Sequence, residues 1–153
     1  MLRFIANQVT TWPAARALVV LDTNVVLDWM VFDDPRCRAL VRQIESARLQ
    51  WIATQAMREE LARVLTRPAL QRWKPDIDAV LACFDRFCQP FAEAPRGGAT
   101  PRCTDPDDQI FIDLALQAQA QWLFSRDRAV LALASQARRH RVQLLRPEDW
   151  KEA

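Results

Sequence analysis

The stretch Ala17-Leu-Val-Val-Leu-Asp-Thr-Asn-Val-Val-Leu-Asp28 runs five apolar residues straight into an aspartate. Leu18 to Leu21 is short, apolar and rich in β-branched residues. It reads as a central strand covered on both faces, as strands of parallel sheets are. A carboxylate at the end of such a strand costs free energy unless something pairs with it. Two explanations stand. Asp22 or Asn24 caps a following helix, or Asp22 belongs to a site built where buried strands end.

The chain on either side extends the pattern. Residues 25–31 read as a short helix closed by Asp33-Asp34-Pro35, and residues 36–48 as a second helix with Leu40, Val41 and Ile44 on one stripe. Trp51-Ile52-Ala53 is a second strand. Thr54 is placed to cap a helix over 55–65, whose stripe is Met57, Leu61, Val64 and Leu65. A helix over 76–87, a short strand within 89–94, a helix over 107–120, a strand at 121–124, a helix over 128–137 and a strand at 142–145 complete the series. Strands alternating with helices predict an α/β fold, a three-layer α/β/α sandwich around a parallel sheet of about five strands. Residues 1–16 show no pattern and read as an N-terminal extension to a domain over 17–150. Gly97-Gly98, the only glycines, mark the clearest flexible loop.

Bulk properties narrow the class. A length of 153 residues suits one domain, and a hydrophobic half of the chain provides a full core. The net charge of +2 allows a nucleic-acid partner without demanding one. Lys74 and Lys151 are the only lysines, so nearly all positive charge is arginine. Arginine grips phosphate through paired hydrogen bonds and stacks on bases, although compositional bias alone yields the same excess. Cys37, Cys83, Cys88 and Cys103 have no zinc-binding or redox spacing, and His140 lies far from them. No apolar run nears the roughly 18 residues a membrane span needs, and no secretory signal is evident. The expectation is a soluble cytoplasmic protein with reduced thiols.

In a parallel sheet every strand's carboxyl end, and the start of every following helix, lies on one edge, where ligands bind. Asp22 follows the first strand. Asp127 closely follows the strand at 121–124. Glu60 lies about two turns into the helix after the second strand, and Asp108 in the first turn of the helix after the glycine loop. Singly, each acid has a structural explanation: Asp22, Asp127 and the run Asp105-Pro-Asp-Asp108 suit helix starts, and Glu60 suits a solvated helix face. Jointly, four carboxylates on one edge repel one another, and a divalent cation removes that repulsion. Oxygen donors without His or Cys favour Mg²⁺ or Mn²⁺ over zinc. Thr23, Asn24 and Ser125 are placed to orient carboxylates or water by hydrogen bonding. Asp28, Asp33, Asp34, Asp113 and Glu59 read as solvated or capping residues.

Four segments, 19–27 (VVLDTNVVL), 59–65 (EELARVL), 105–115 (DPDDQIFIDLA) and 122–131 (WLFSRDRAVL), resemble the PIN-domain family, and most closely its branch of VapC-like toxins from bacterial toxin–antitoxin systems. The resemblance runs from about residue 18 to Trp150. It implies a PIN fold and Mg²⁺- or Mn²⁺-dependent endoribonuclease activity. Carried over residue by residue, the acidic site is Asp22, Glu60, Asp108 and Asp127, supported by Thr23, Asn24 and Ser125, with Asp105 as a further metal ligand. In the hydrolysis it implies, Asp22 is the central ligand, Asp108 and Asp127 complete the cage, and Glu60 holds a water or a second ion. The resemblance also implies an RNA substrate, a cognate antitoxin covering the site and a homodimer. Ser125 stands where the family more often has threonine, which keeps the hydroxyl. Arg58, Arg63, Arg102, Arg126 and Arg128 lie near the acids in sequence and are expected to bind the RNA backbone. An exposed Trp29 would mark a dimer or antitoxin surface.

Other classes fit less well. A haloacid-dehalogenase-like phosphatase wants an aspartate where Asn24 stands. That class and a response-regulator receiver both want a late lysine, and none lies between Lys74 and Lys151. A flap-type DNA nuclease needs a long insertion for which there is no room. The remaining alternative is a non-catalytic PIN-like interaction module.

Overall fold

The computed structural model describes residues 17–93 and 100–151. The N-terminal extension and the Gly97-Gly98 loop lie outside the described residues. The elements are β1 (Ala17–Leu21), α1 (Thr23–Met30), α2 (Arg38–Glu45), β2 (Leu49–Ala53), α3 (Gln55–Leu65), α4 (Ile77–Phe87), β3 (Cys88–Pro90), α5 (Gln109–Gln117), β4 (Trp122–Phe124), α6 (Arg128–Leu131), α7 (Ala134–Arg139) and β5 (Gln143–Leu145). Short 3-10 turns lead into α2 and α5 and follow α3 and β5.

All five strands pair in parallel, in the order β3-β2-β1-β4-β5. Val19 lies level with Trp51 on one side and Trp122 on the other, and Leu21 with Phe124. Val19, Val20, Ile52, Leu123 and Phe124 are fully buried, as the unbroken apolar run of β1 requires of a central strand. Crossovers between parallel strands are right-handed, so this order sets α1–α4 over one face and α5–α7 over the other. The chain winds outward from β1 through β2 to β3, then returns to β4 and proceeds to β5. Winding reverses between β1 and β4, and sheets of this kind bind ligands beyond the carboxyl ends of the strands at that point.

Helix starts follow the local chemistry of capping. Thr54 accepts the Met57 N–H at 3.4 Å and Asp76 that of Ala79 at 3.0 Å, each relieving an amide that the first turn leaves bare. The run at 36–48 divides into a 3-10 turn at Pro35–Cys37 and α2, and the long helix expected over 107–120 opens as a 3-10 turn at Pro106–Asp108. In both, Pro fixes the first φ and the preceding aspartate caps the turn. The helix expected over 128–137 is two: the ladder tightens at Leu133, whose N–H bonds to Val130 at 2.9 Å, before α7 begins. The third strand is shorter than 89–94 and begins at Cys88, directly after α4.

Five non-glycine residues among those described lie in the left-handed region, Asp33 and Lys74 in turns and three more at the ends of α-helices. Ala47, Gln119 and Arg141 have φ of 64°, 53° and 65°. Each ends a helix in a closed C-terminal motif. The Ala120 N–H reaches back to Ala115 at 2.9 Å, Arg48 to Gln43 at 3.0 Å and Val142 to Ala137 at 3.1 Å. Trp29 is half-buried against Trp51 and Phe87, with ring centroids 5.5 and 5.8 Å away. It is part of the packing under α1 and α4, so the exposed position considered for it does not exist.

A carboxylate cluster at the switch point

Asp22 follows β1 at the point where the winding reverses and is only 2% exposed. Its backbone N–H still belongs to the sheet, bonding to Phe124 at 2.9 Å. Its Oδ1 accepts the Asn24 N–H at 3.4 Å, capping α1, and its Oδ2 accepts the Ser125 hydroxyl at 2.6 Å. The same Ser125 oxygen accepts the Asp127 N–H at 3.0 Å. One buried hydroxyl therefore locks the end of β1 to the loop after β4. Asp127 in turn caps α6 through Oδ1, which accepts the Ala129 N–H at 2.8 Å. Asp105 caps its 3-10 turn through Oδ1 on the Asp107 N–H at 3.0 Å.

Capping and cluster formation are thus compatible. Asp22, Asp105 and Asp127 each cap with Oδ1, so the cap itself orients the second oxygen. Asp105, Asp108 and Asp127 each bring a carboxylate oxygen to within 4.8 Å of the others, close enough to share one cation. Asp108 Oδ2 is buried and meets no hydrogen-bond donor among the described residues. Thr23, at the start of α1, donates its hydroxyl to Glu60 Oε2 on α3. That bond ties the fourth expected acid to the residue beside Asp22. Asn24 is exposed, and its contribution to this geometry is the backbone N–H.

The electrostatics match the crowding. Burial is the largest effect on Asp22 and lifts its pKa to about 6; the bonds from Ser125 and Asn24 oppose the rise, and the charges of Asp127 and Glu60 add to it. Burial also leads for Asp108, which rises to about 8 with the help of Asp22, Asp127 and Asp105. Asp127 lies within hydrogen-bonding reach and favours the protonated form of Asp108. Cys103 is buried nearby, and its thiol is pushed up by burial and by the same acids.

This donor set suits a hard divalent cation. An orphaned, buried carboxylate oxygen beside two further carboxylates is a cost that an ion of opposite charge removes. Mg²⁺ and Mn²⁺ take oxygen ligands of this kind, and His140, the only histidine, is exposed beyond α7. Gln109, which the sequence reading passed over, supports the cluster from behind. It is buried, its Oε1 accepts the Cys103 N–H at 2.7 Å, and its Nε2 donates to Pro101 O and Asp113 Oδ1 at 2.9 Å. The loop that delivers Asp105 is pinned to α5 in this way. A glutamine beside an acidic run gives no sequence signal for that role.

The arginines divide. Arg126 turns inward: it bonds Asp28 Oδ2 at 2.6 Å, Glu148 Oε1 at 2.5 Å and Cys37 Sγ at 3.7 Å. Burial opposes its charge, but the bonds to Asp28 and Glu148 outweigh that and hold it firmly ionised. The guanidinium, expected on the RNA backbone, is engaged within the protein by these three partners. Asp28 is likewise no solvated residue. Arg58 pairs with Asp85 through two bonds of 2.8 Å. Arg63, Arg102 and Arg128 are exposed.

Among the described residues no helix is long and apolar enough to cross a membrane. A family model described as PIN domain matches residues 18–129, from β1 into α6. No curated protein matches the sequence significantly.

Proposed function

Because this chain belongs to the PIN-domain family, whose members are generally nucleases, we propose that it is a Mg²⁺- or Mn²⁺-dependent endoribonuclease and the toxin of a toxin–antitoxin pair. The observation that carries the reading is the buried Asp108 Oδ2, left without a donor beside Asp105 and Asp127. Asp105, Asp108 and Asp127 would hold the ion, with Asp22 behind them. A bound divalent ion supplies Lewis acidity, which activates water and steadies charge on phosphoryl oxygens.

The chain's own residues do the rest. Ser125 holds Asp22 and Asp127 in register. Thr23 holds one oxygen of Glu60, and the other is left to orient the attacking water. A cognate antitoxin would cover this edge, and a homodimer is the expected assembly.

The test compares the purified protein and Asp22→Asn on a mixed RNA pool with Mg²⁺ or Mn²⁺. Cleavage by the wild type alone, stopped by EDTA, supports the reading. No cleavage together with no metal binding by calorimetry sinks it and leaves a non-catalytic PIN module.

A further inference from the structure

Arg138, Arg139, His140 and Arg141 close α7, and all four are exposed. Arg36, Arg58 and Arg126 are instead held by Asp34, Asp85, Asp28 and Glu148, while Arg63, Arg102 and Arg128 are exposed singly near the acids. Among the described residues, Arg138, Arg139 and Arg141 enter no ion pair. One cation would complement the negative end of so short a helix; this run supplies three permanent charges.

The backbone adds a second observation. Arg141 has φ 65°, and the Arg141 and Val142 N–H groups close the helix onto Arg138 O and Ala137 O at 3.0 and 3.1 Å. Glycine is the residue this conformation favours. A β-carbon is unfavourable there, a cost this chain also carries at Ala47 and Gln119, and at 141 it presents a long cationic side chain to solvent.

Position gives the run a task. Val142 leads into the edge strand β5, whose far end, Leu145, lies level with Phe124. The acids gather just beyond Phe124, so the run and the acids occupy opposite ends of β5. From Arg141 to Arg146 the chain spans roughly 17 Å at ~3.3 Å per residue. Arg146, at the near end, is exposed as well. The acid edge itself repels phosphate. A dense set of carboxylates, Asp22, Glu60, Asp105, Asp108 and Asp127, gives a polyanion no attraction of its own, so that attraction comes from arginines outside the cluster.

We propose that Arg138, Arg139 and Arg141 form a backbone-phosphate anchor for RNA, holding at the far end of β5 a strand whose scissile bond lies at the acid edge. The ligand class rests on the nuclease reading; the anchor goes beyond it by assigning a surface outside the catalytic edge.

The test measures binding without chemistry. Wild type, Arg141→Gly and the triple change of Arg138, Arg139 and Arg141 to Gln are titrated in EDTA with a fluorescent single-stranded RNA of about twenty nucleotides, over a range of salt. Each lost phosphate contact should lower the salt slope by about 0.7 and weaken binding roughly fivefold at 0.1 M salt. Arg141→Gly should also raise the melting temperature by roughly 1–4 °C, which separates lost binding from lost folding. A trinucleotide, with only two phosphates to offer the run, should lose less affinity in the triple variant than the long RNA does. Unchanged affinity and slope on the long RNA would overturn the anchor, as would a run that binds poly-glutamate in preference to RNA. Cleavage does not enter this assay, so an inactive wild type refutes the nuclease reading separately from these results.

Discussion

Ser125 Oγ donates to Asp22 Oδ2 at 2.6 Å across 103 positions of sequence, and the same oxygen accepts the Asp127 N–H at 3.0 Å. The hydroxyl is fully buried between the two central strands at the point where the winding reverses. It fixes the spacing of two acids that come from different strands. It also lowers a pKa that burial raises.

Ser125→Ala removes both functions without enlarging the side chain. Metal affinity should fall roughly 10–100-fold, the usual loss when a residue supporting a metal ligand is removed. Ser125→Thr keeps the hydroxyl and should stay within a few-fold of wild type, provided the added methyl fits. Calorimetric Mn²⁺ titration of the three proteins decides this. Equal affinity for the Ala and wild-type proteins would show that the bond only closes the fold.

The pH dependence follows from the two raised carboxyls. Asp22 at about 6 and Asp108 at about 8 bind protons in the folded state that the unfolded chain has already released, its carboxyls titrating near 3.8. The folded state therefore holds more protons between about pH 4 and 8, and metal-free stability falls as pH rises through that window. A divalent ion displaces these protons, so its affinity should rise over the same range. Melting in EDTA should be lower at pH 8.5 than at pH 5.5, with added Mn²⁺ closing the gap. Calorimetry in buffers of different ionisation enthalpy should detect proton release near pH 7. Asp108→Asn should leave only the smaller release from Asp22 and stabilise the metal-free protein at pH 8, because its amide can donate to Asp127. The gain is on the order of 1 kcal/mol once solvent screening is allowed for. A less stable Asp108→Asn protein in EDTA would contradict the repulsion argument.

The sequence revealed the edge more fully than the wiring. An apolar run such as Leu18–Leu21 has few readings other than a buried strand, and parallel alternation sends its carboxyl end to the same edge as every other strand's. Asp22 and Asp127 could be placed by that rule alone. Side chains that turn inward from a polar sequence could not. Nothing local distinguishes Arg126 from Arg128, yet one is held by Asp28 and Glu148 and the other is exposed. The partners lie 98 and 22 positions away, beyond any periodicity. Helix ends were equally hard to read, because this chain stops helices with Ala47, Gln119 and Arg141 where glycine would have been the signal.

Arg126 ties the loop between Ser125 and Asp127 to α1 through Asp28 and to the turn after β5 through Glu148. Arg126→Met would leave Asp28, with its side chain 13% exposed, without its partner. Breaking a largely buried pair by removing one member costs about 3 kcal/mol. Adding Asp28→Leu removes the stranded charge and should restore most of the stability. A double-mutant cycle by urea denaturation reads the coupling. RNA affinity in EDTA should change little in Arg126→Met, because the guanidinium faces the protein. A strong loss of RNA binding with stability intact would return Arg126 to the substrate surface.

Gln119 ends α5 at φ 53°, with its N–H on Leu116 O at 3.3 Å and the Ala120 N–H on Ala115 O at 2.9 Å. It is exposed, so its side chain contributes little packing. Gln119→Gly relieves the left-handed strain while giving the unfolded chain more freedom, and the first effect is the larger at such a site. The expected gain is about 0.5–1 kcal/mol, or roughly 1–4 °C in melting temperature. Ala47→Gly, at the equivalent position after α2, should give a similar gain, and the two should add because they end different helices. Gln119→Val is the control: a β-branched residue is least able to adopt positive φ, so it should destabilise. If glycine and valine moved stability in the same direction, the left-handed turn would not be the cause, and the strain argument used for Arg141 would fall with it.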